Sequence, residues 1–184
     1  MITRHRAIIL LAILGSALFA LIQGVIIPGN MAKEEQYRQA QQNPITHDLD
    51  SILKYKSKYM GDASNLINLI QHLPLSQIQK SFQLDSKQLT IKVNYRETID
   101  VIKESDLQRA LLYNSLAAFA LVDNLEAIEF HFYDASYLAT RADSKEVFGS
   151  DLSLMLTKDQ WKAMQEQLKD DQFVSKSALT MLQK

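Results

Sequence analysis

Three side chains that could do chemistry share one face of a short alternating segment in the second half of the chain. Glu129, His131 and Tyr133 occupy every second position of AIEFHFY, and Asp134 follows directly. Alternate residues of a strand project to the same side, so these groups would lie together. They could ligate a metal ion or act as a general base if a neighbouring strand completed the site. A solvent-facing strand carries the same residue types without any chemistry, and we prefer that interpretation.

Two carboxylate pairs, Asp48/Asp50 and Asp170/Asp171, could in principle do acid–base work. Both pairs lie at expected element ends, where acidic residues serve as caps and solubilising groups. The chain has no cysteine and no P-loop, dinucleotide fingerprint, HExxH or GxSxG motif. We therefore expect no catalytic residue, no metal site and no cofactor, and the sequence does not identify the binding residues.

The composition limits the class of protein that carries these residues. The 184 residues include 20 basic and 21 acidic side chains, a net charge of −1, and 47% are hydrophobic. Near-neutral charge argues against nucleic acid as a partner. The absence of cysteine excludes a disulfide-stapled fold and a zinc ribbon. What remains is one modest globular domain, stabilised by its core alone, plus whatever the ends add.

The N-terminus predicts a membrane anchor. Residues 7–27 are uncharged, follow Arg4 and Arg6, and are closed by Pro28. A helix of this length spans about 30 Å, the thickness of the hydrocarbon core of a bilayer. The alternative is a cleaved signal peptide, which has a shorter apolar region and a small-residue cleavage site that this run lacks. We expect an uncleaved single-pass anchor, with residues 1–6 cytoplasmic because basic residues stay inside, and the remaining chain extracytoplasmic.

Four small residues recur at intervals of four along this anchor. They are Ala12, Ser16, Ala20 and Gly24. A face of small residues lets two helices approach closely in lipid, so a homo-oligomer formed through this stripe is one hypothesis. Small residues are also common in anchors that do not associate, and we prefer that simpler explanation.

Beyond the anchor, we expect a polar stalk over residues 28–45 and an α+β domain over residues 46–184. The alternating LKYKSKY at 53–59 predicts an extended surface segment, whose lysines either contact lipid headgroups or simply face water. A helix capped by Asp62 or Ser64 and stopped at Pro74 follows, and then paired strands at 82–84 and 89–95. A capping box at 105–108 predicts a buried helix over about 106–123, leading into a strand at 127–133.

The order strand, helix, strand predicts a split βαβ-like core with additional short helices. Leu152, Leu154 and Leu156 alternate like one more strand. A second capping box at 157–160 then predicts a helix in which Trp161 lies on the apolar stripe, and residues 173–182 predict a last short helix.

Several short stretches resemble the family known as domain of unknown function 4825. They are YMGDAS (59–64), LPL (73–75), VNY (93–95), NSLAAFALVDNLEAIEFHF (114–132) and FGSDL (148–152). The likeness runs from residue 53 to about 161, with Met60 where the family more usually has valine. The resemblance implies a membrane-anchored or secreted domain of Gram-positive-type bacteria. The family has no established activity, so it supplies no catalytic residue.

Three functions fit these observations. The anchor, the compact domain and the lack of a catalytic group favour a non-enzymatic extracytoplasmic module that binds a protein or small ligand and regulates an envelope or signalling system. The first alternative is a membrane-associated structural or assembly partner that acts through the anchor and stalk. The second is an envelope-acting hydrolase, for which location is the only argument.

Overall fold

The computed structural model describes residues 2–184, without the side chains of residues 2–4, 6, 7, 10, 12 and 13. The first of its two compact units, residues up to 40, is helical. Helix α1 (Ile2–Leu21) continues through a π-helical turn (Ile22–Ile26) into α2 (Ile27–Gln42). Pro28 has no amide hydrogen, and its ring would press on the carbonyl of the residue four earlier. The wider turn, in which the Ile27 amide donates to the Ile22 carbonyl, accommodates that ring.

Within the described residues, Leu14–Gln42 is the one helical stretch long and apolar enough to cross a membrane. This supports a membrane anchor at the N-terminus, whereas the bounds 7–27 and the orientation stay predictions. Ser16, Ala20 and Gly24 are exposed on this unit, and Ala12 lies outside the residues whose side chains are described. Self-association through the stripe therefore also stays a prediction.

The second unit, residues 41–184, has the α+β composition that the sequence predicts. Its elements are α3 (Asp50–Leu53), α4 (Ala63–His72), β1 (Lys80–Asp85), β2 (Thr90–Tyr95), a 3₁₀ turn (Ile99–Val101), α5 (Glu104–Leu121), β3 (Ala127–His131), β4 (Ser136–Thr140), α6 (Arg141–Phe148), a 3₁₀ helix (Leu152–Leu156), α7 (Lys158–Gln167) and α8 (Asp171–Met181).

The four strands form one mixed sheet in the order β1-β2-β3-β4. β1 and β2 form an antiparallel hairpin, β2 and β3 run parallel across α5, and β3 and β4 form a second hairpin. The expected strand–helix–strand order is confirmed. The parallel strands are direct neighbours, so no further strand splits the βαβ unit.

The core lies between α5 and the inner face of the sheet. All residues of α5 from 110 to 121 are buried, which the unbroken apolar run at 116–122 predicts. Alternate strand residues complete the core, among them Val93 and Phe130 at 0% exposure. At the end of the parallel pair, the Tyr95 and Phe132 rings stack with centroids 4.7 Å apart. The opposite face of the sheet carries mainly polar side chains.

Two of the predicted helix caps are present and one is not. The Asp62 carboxylate caps α4 by accepting from the Asn65 amide, and the Thr157 hydroxyl caps α7. The capping box expected at Ser105 is wrong, because α5 begins at Glu104 and Ser105 lies within its first turn. The Ser105 hydroxyl is buried without a hydrogen-bond partner among the described residues.

Two segments predicted to be extended do not form strands. Residues 152–156 form a 3₁₀ helix, because the Asp151 carboxylate accepts from the Ser153 amide and starts a tight turn there. Of its three alternating leucines, Leu152 is buried and Leu154 is 66% exposed. In the 53–59 segment, α3 and a following turn occupy the first half, and Ser57 alone forms a bridge, to Val122. The three lysines do face solvent as predicted.

Candidate functional site on the outer face of the sheet

The outer face of the sheet brings polar residues from three strands into two adjacent rows. The register places Lys92 of β2 beside Glu129 of β3, and His131 of β3 beside Ser136 of β4. All four side chains project away from the core because they alternate with buried residues such as Phe130. We call this group the sheet-face cluster: Lys92, Glu129, His131 and Ser136.

A continuous chain of hydrogen bonds links the sheet-face cluster. The His131 Nδ1 lies 2.8 Å from the Ser136 Oγ, and its Nε2 lies 2.8 Å from the Glu129 Oε2. A carboxylate can only accept, so the Nε2 of the ring carries the proton that Glu129 accepts. In the neutral ring, Nδ1 is then an acceptor and takes the hydroxyl proton of Ser136. The imidazole is held in one tautomer and one orientation.

Lys92 keeps the carboxylate of this chain ionised. Its Nζ lies 3.0 Å from Glu129, which is 24% exposed. Burial alone would raise the pKa of Glu129, but the hydrogen bonds from Lys92 and His131 outweigh burial and lower that pKa below its ordinary value. A carboxylate that stays charged is a permanent acceptor for the imidazole N–H.

Two of the four residues that the sequence grouped at this site lie elsewhere. Tyr133 is 71% exposed beyond the end of β3, and its amide donates to the Glu97 carbonyl. The Asp134 carboxylate accepts from the Ile99 amide and so fixes the neighbouring turn. Lys92 and Ser136 take their places, and the register of the second hairpin is the signal that could have indicated Ser136.

A recess of about 290 Å³ lies beside the hydroxyl of Ser136. Its walls include Tyr137 and Leu138 of β4, and Gln183 and Lys184 also line it. Gln183 pairs with Leu138 through two backbone hydrogen bonds of 2.8 and 2.9 Å, so the last residues extend the edge of the sheet. The recess is open and partly apolar, and its volume suits a small ligand.

The described residues contain no group of three or more His, Asp or Glu side chains that could hold a metal ion. In the sheet-face cluster, the one carboxylate and the one imidazole already satisfy each other.

The two carboxylate pairs lie near helix ends, where they form hydrogen bonds and ion pairs. The Asp48 carboxylate accepts from the Asp50 amide, and Asp50 forms an exposed ion pair of 2.7 Å with Lys158. Asp170 caps α8, and Asp171 binds Arg109 at 2.5 Å. Each carboxylate has a structural partner, and the two pairs lie outside the sheet-face cluster.

A second histidine is buried in the core near the start of the unit. His47 is 2% exposed, and its Nε2 lies 2.8 Å from the His72 carbonyl, so that nitrogen is the donor. The Tyr113 hydroxyl lies 2.8 Å from the His47 Nδ1 and accepts from the Trp161 Nε1 at 3.1 Å. Burial lowers the pKa of His47, which keeps the ring neutral. The two ring nitrogens of His47, the Tyr113 hydroxyl and the Trp161 indole N–H all have partners here, as a structural role requires.

Lys80 lies on the edge strand β1, and the pKa of its amine is lowered. Burial lowers its pKa to about 8. Its Nζ donates to the Leu75 carbonyl at 2.8 Å and lies 5.2 Å from the centre of the Tyr95 ring. The Leu75 backbone is left-handed, with φ of 67°, and this bond helps to hold it.

These features define a small α+β domain that follows a helix of membrane-spanning length and leaves one polar face of its sheet open. Residues 52–142 match the family model described as Domain of unknown function (DUF4825), which supports the resemblance to that family. The match covers α4, α5 and the four strands, including the whole sheet-face cluster. It ends before the FGSDL stretch at 148–152. No curated protein and no solved structure matches the chain.

Proposed function

We propose that this chain is a single-pass, membrane-anchored extracytoplasmic module of the bacterial envelope that binds a protein or small ligand and regulates the system to which that partner belongs. The observation that carries the proposal is the open outer face of the sheet. A sheet face with four partly exposed polar side chains, held in place by mutual hydrogen bonds, presents a fixed pattern of donors and acceptors. The apolar N-terminal helix supports the anchored location.

The absence of cysteine makes the location directly testable. A single cysteine at the exposed Ser175 of α8 should react with a membrane-impermeant maleimide on intact cells, whereas one at Thr3 should react after permeabilisation alone. The measured mass of the mature protein should also correspond to a chain that begins at Met1 or Ile2. Labelling of Thr3→Cys on intact cells, or a chain shortened at its N-terminus, would overturn the proposed anchor.

The binding face is tested by site-specific photocrosslinking in intact membranes. A photoreactive residue at Asn94, which lies beside His131 in the same row of the sheet, should give a discrete crosslinked product. The same residue at Ser175 is the matched control and should not. The product should weaken when Lys92→Ala removes the cation of the cluster. Products from the 28–45 stalk alone would favour the assembly-partner alternative instead.

A further inference from the structure

We propose that Ser136 is an activated nucleophile, and that the sheet-face cluster transfers a short acyl group from an ester to it. This goes beyond the proposed binding function, which needs no reactive group. Three observations lead to it: the Ser136–His131–Glu129 hydrogen-bond chain, the direction of the Ser136 amide, and the recess beside the hydroxyl.

The hydrogen-bond chain has the order nucleophile, base, orienting carboxylate. The Ser136 Oγ and Glu129 Oε2 lie on opposite nitrogens of one imidazole, each at 2.8 Å. A hydroxyl in contact with a base whose tautomer is fixed by a third group is the arrangement that activates serine nucleophiles in unrelated folds. Here His131 accepts at Nδ1, and Glu129 orients the ring and stabilises its charged form.

The backbone places a free donor next to the nucleophile. In β4, alternate residues point their amides toward β3 or away from it. Leu138 points away, since its amide and carbonyl pair with Gln183. Ser136 is two residues from Leu138, so its amide points in the same direction. Ala135 and Arg141 are an odd number of residues away, and their backbone groups bond toward β3. The Ser136 amide therefore faces the open edge, where it can donate to the oxyanion that forms when Oγ attacks a carbonyl.

The recess sets the class of substrate. Its volume of about 290 Å³ and the apolar wall at Leu138 suit a short acyl chain. The lining carries charges of both signs, at Glu129 and Lys184, so the recess favours a neutral ester over a charged one. We therefore assign small acyl esters as the substrate.

The proposed step balances without any co-reactant. The Ser136 Oγ forms a bond to the carbonyl carbon while His131 Nδ1 takes the hydroxyl proton. The bond from that carbon to the alkoxide leaving group then breaks, and His131 gives the proton to the alkoxide oxygen, so that an alcohol departs. The product is an acyl ester of Ser136, and water cleaves it by the same route.

The test uses the full chain in detergent micelles and a fluorophosphonate probe, which phosphonylates an activated serine with loss of fluoride. We expect the probe to modify Ser136 at one site, identified by peptide mass spectrometry, and p-nitrophenyl acetate to acetylate the same residue. Ser136→Ala should abolish both modifications. His131→Gln should slow them by about 100-fold or more, because general-base assistance contributes about that much.

Two further variants separate activation from mere exposure. Ser175→Ala removes an exposed serine of α8 and should leave the labelling rate unchanged. Glu129 is a positioning residue, and Glu129→Gln should slow labelling and also shift the ¹⁵N signals of His131 away from the Nε2–H tautomer, while the circular dichroism stays that of the wild type. Labelling spread over several surface serines, or a Ser136 rate that His131→Gln leaves unchanged in a folded protein, would overturn the proposal.

Discussion

At the scale of single residues, the buried Tyr113 hydroxyl satisfies two other polar groups at once. It accepts from the Trp161 indole and lies 2.8 Å from the His47 Nδ1. Tyr113→Phe would leave an indole N–H and an imidazole nitrogen unpaired in the core, which costs about 1–3 kcal/mol of unfolding free energy. For a chain of this size, that corresponds to roughly 2–4 °C in Tm per kcal/mol. Thermal melting of the full chain in micelles, followed by circular dichroism, measures the loss.

Tyr133→Phe is the matched control, because it removes the same hydroxyl from a side chain that is 71% exposed. We expect it to change the unfolding free energy by no more than about 0.5 kcal/mol. Equal destabilisation by the two variants would show that the buried hydroxyl has no special role.

The neutral state of His47 predicts a pH dependence of stability. Burial holds the pKa of His47 in the folded state below its ordinary value, whereas the unfolded imidazole titrates near about 6.5. As pH falls below that value, the unfolded chain takes up a proton that the folded chain does not. Stability is therefore fully present above about pH 6.5 and falls as pH drops toward the folded pKa, by up to about 1.4 kcal/mol per pH unit.

His47→Gln isolates this contribution. The variant is less stable at pH 7.5 because it loses a buried imidazole, but it should lose less further stability between pH 7.5 and 5 than the wild type does. Trp161 is the single tryptophan of the chain and is 2% exposed, so the shift of its emission reports unfolding. Parallel pH profiles for the two proteins would contradict the assignment of the slope to His47.

At the scale of elements, one glycine is required and another is not. Gly149 follows α6 with φ of 109° and ψ of 158°, a region that is essentially closed to other residues. Gly149→Ala should therefore cost about 1–3 kcal/mol of unfolding free energy, although no atom would clash with the new Cβ. Gly61, which lies in the YMGDAS stretch that resembles the family, has no positive φ and open space around it.

Gly61→Ala is thus the matched control, and we expect it to be neutral or slightly stabilising because alanine restricts the unfolded chain. Thermal melts of the two variants side by side decide the matter. A loss at Gly61 equal to that at Gly149 would mean that the positive φ is not what makes glycine necessary.

The elements with long apolar runs or caps could be predicted from the sequence, and those that depend on pairing could not. The apolar run of α5 and the caps Asp62 and Thr157 carry their own signals, and their helices are confirmed. Strand β4 reads SYLAT, with one large aliphatic residue in five positions, and it becomes a strand because β3 and Gln183 pair with it. The leucines at 152–156 have strand periodicity but no partner strand, and they form a 3₁₀ helix.

The same distinction explains how much of the candidate site could be predicted. Glu129 and His131 share one strand, and their common face follows from alternation alone. Ser136 joins them because the turn after Phe132 returns the chain with His131 opposite Ser136, as the bond from the Phe132 amide to the Ala135 carbonyl fixes. A turn shifted by one residue would move Ser136 to the other face of the sheet. Because the sequence did not predict strand β4, it could indicate Glu129 and His131 but not Ser136.

At the scale of the whole molecule, the two units differ in where their apolar side chains lie. Residues 41–184 contain one hydrophobic core with an aromatic centre at Tyr113 and Trp161. The described residues of the first unit are exposed throughout most of their length, and large apolar side chains such as Leu18, Phe19 and Val25 are 48–64% exposed. A row of exposed apolar side chains on a long helix is unfavourable in water and favourable in lipid.

The anchor is tested by charge placed within this row. Leu18→Arg together with Ile22→Arg should move the protein from the membrane fraction that resists alkaline extraction to the extractable fraction. Each arginine near the centre of a spanning helix costs about 2.5–3.5 kcal/mol of insertion free energy. Gln36→Arg together with Gln39→Arg adds the same charge to an exposed polar part of α2 and should leave the protein in the membrane. If both double variants partition alike, hydrophobic insertion of this helix does not hold the chain at the membrane, and the second unit would have to bind there through its own surface.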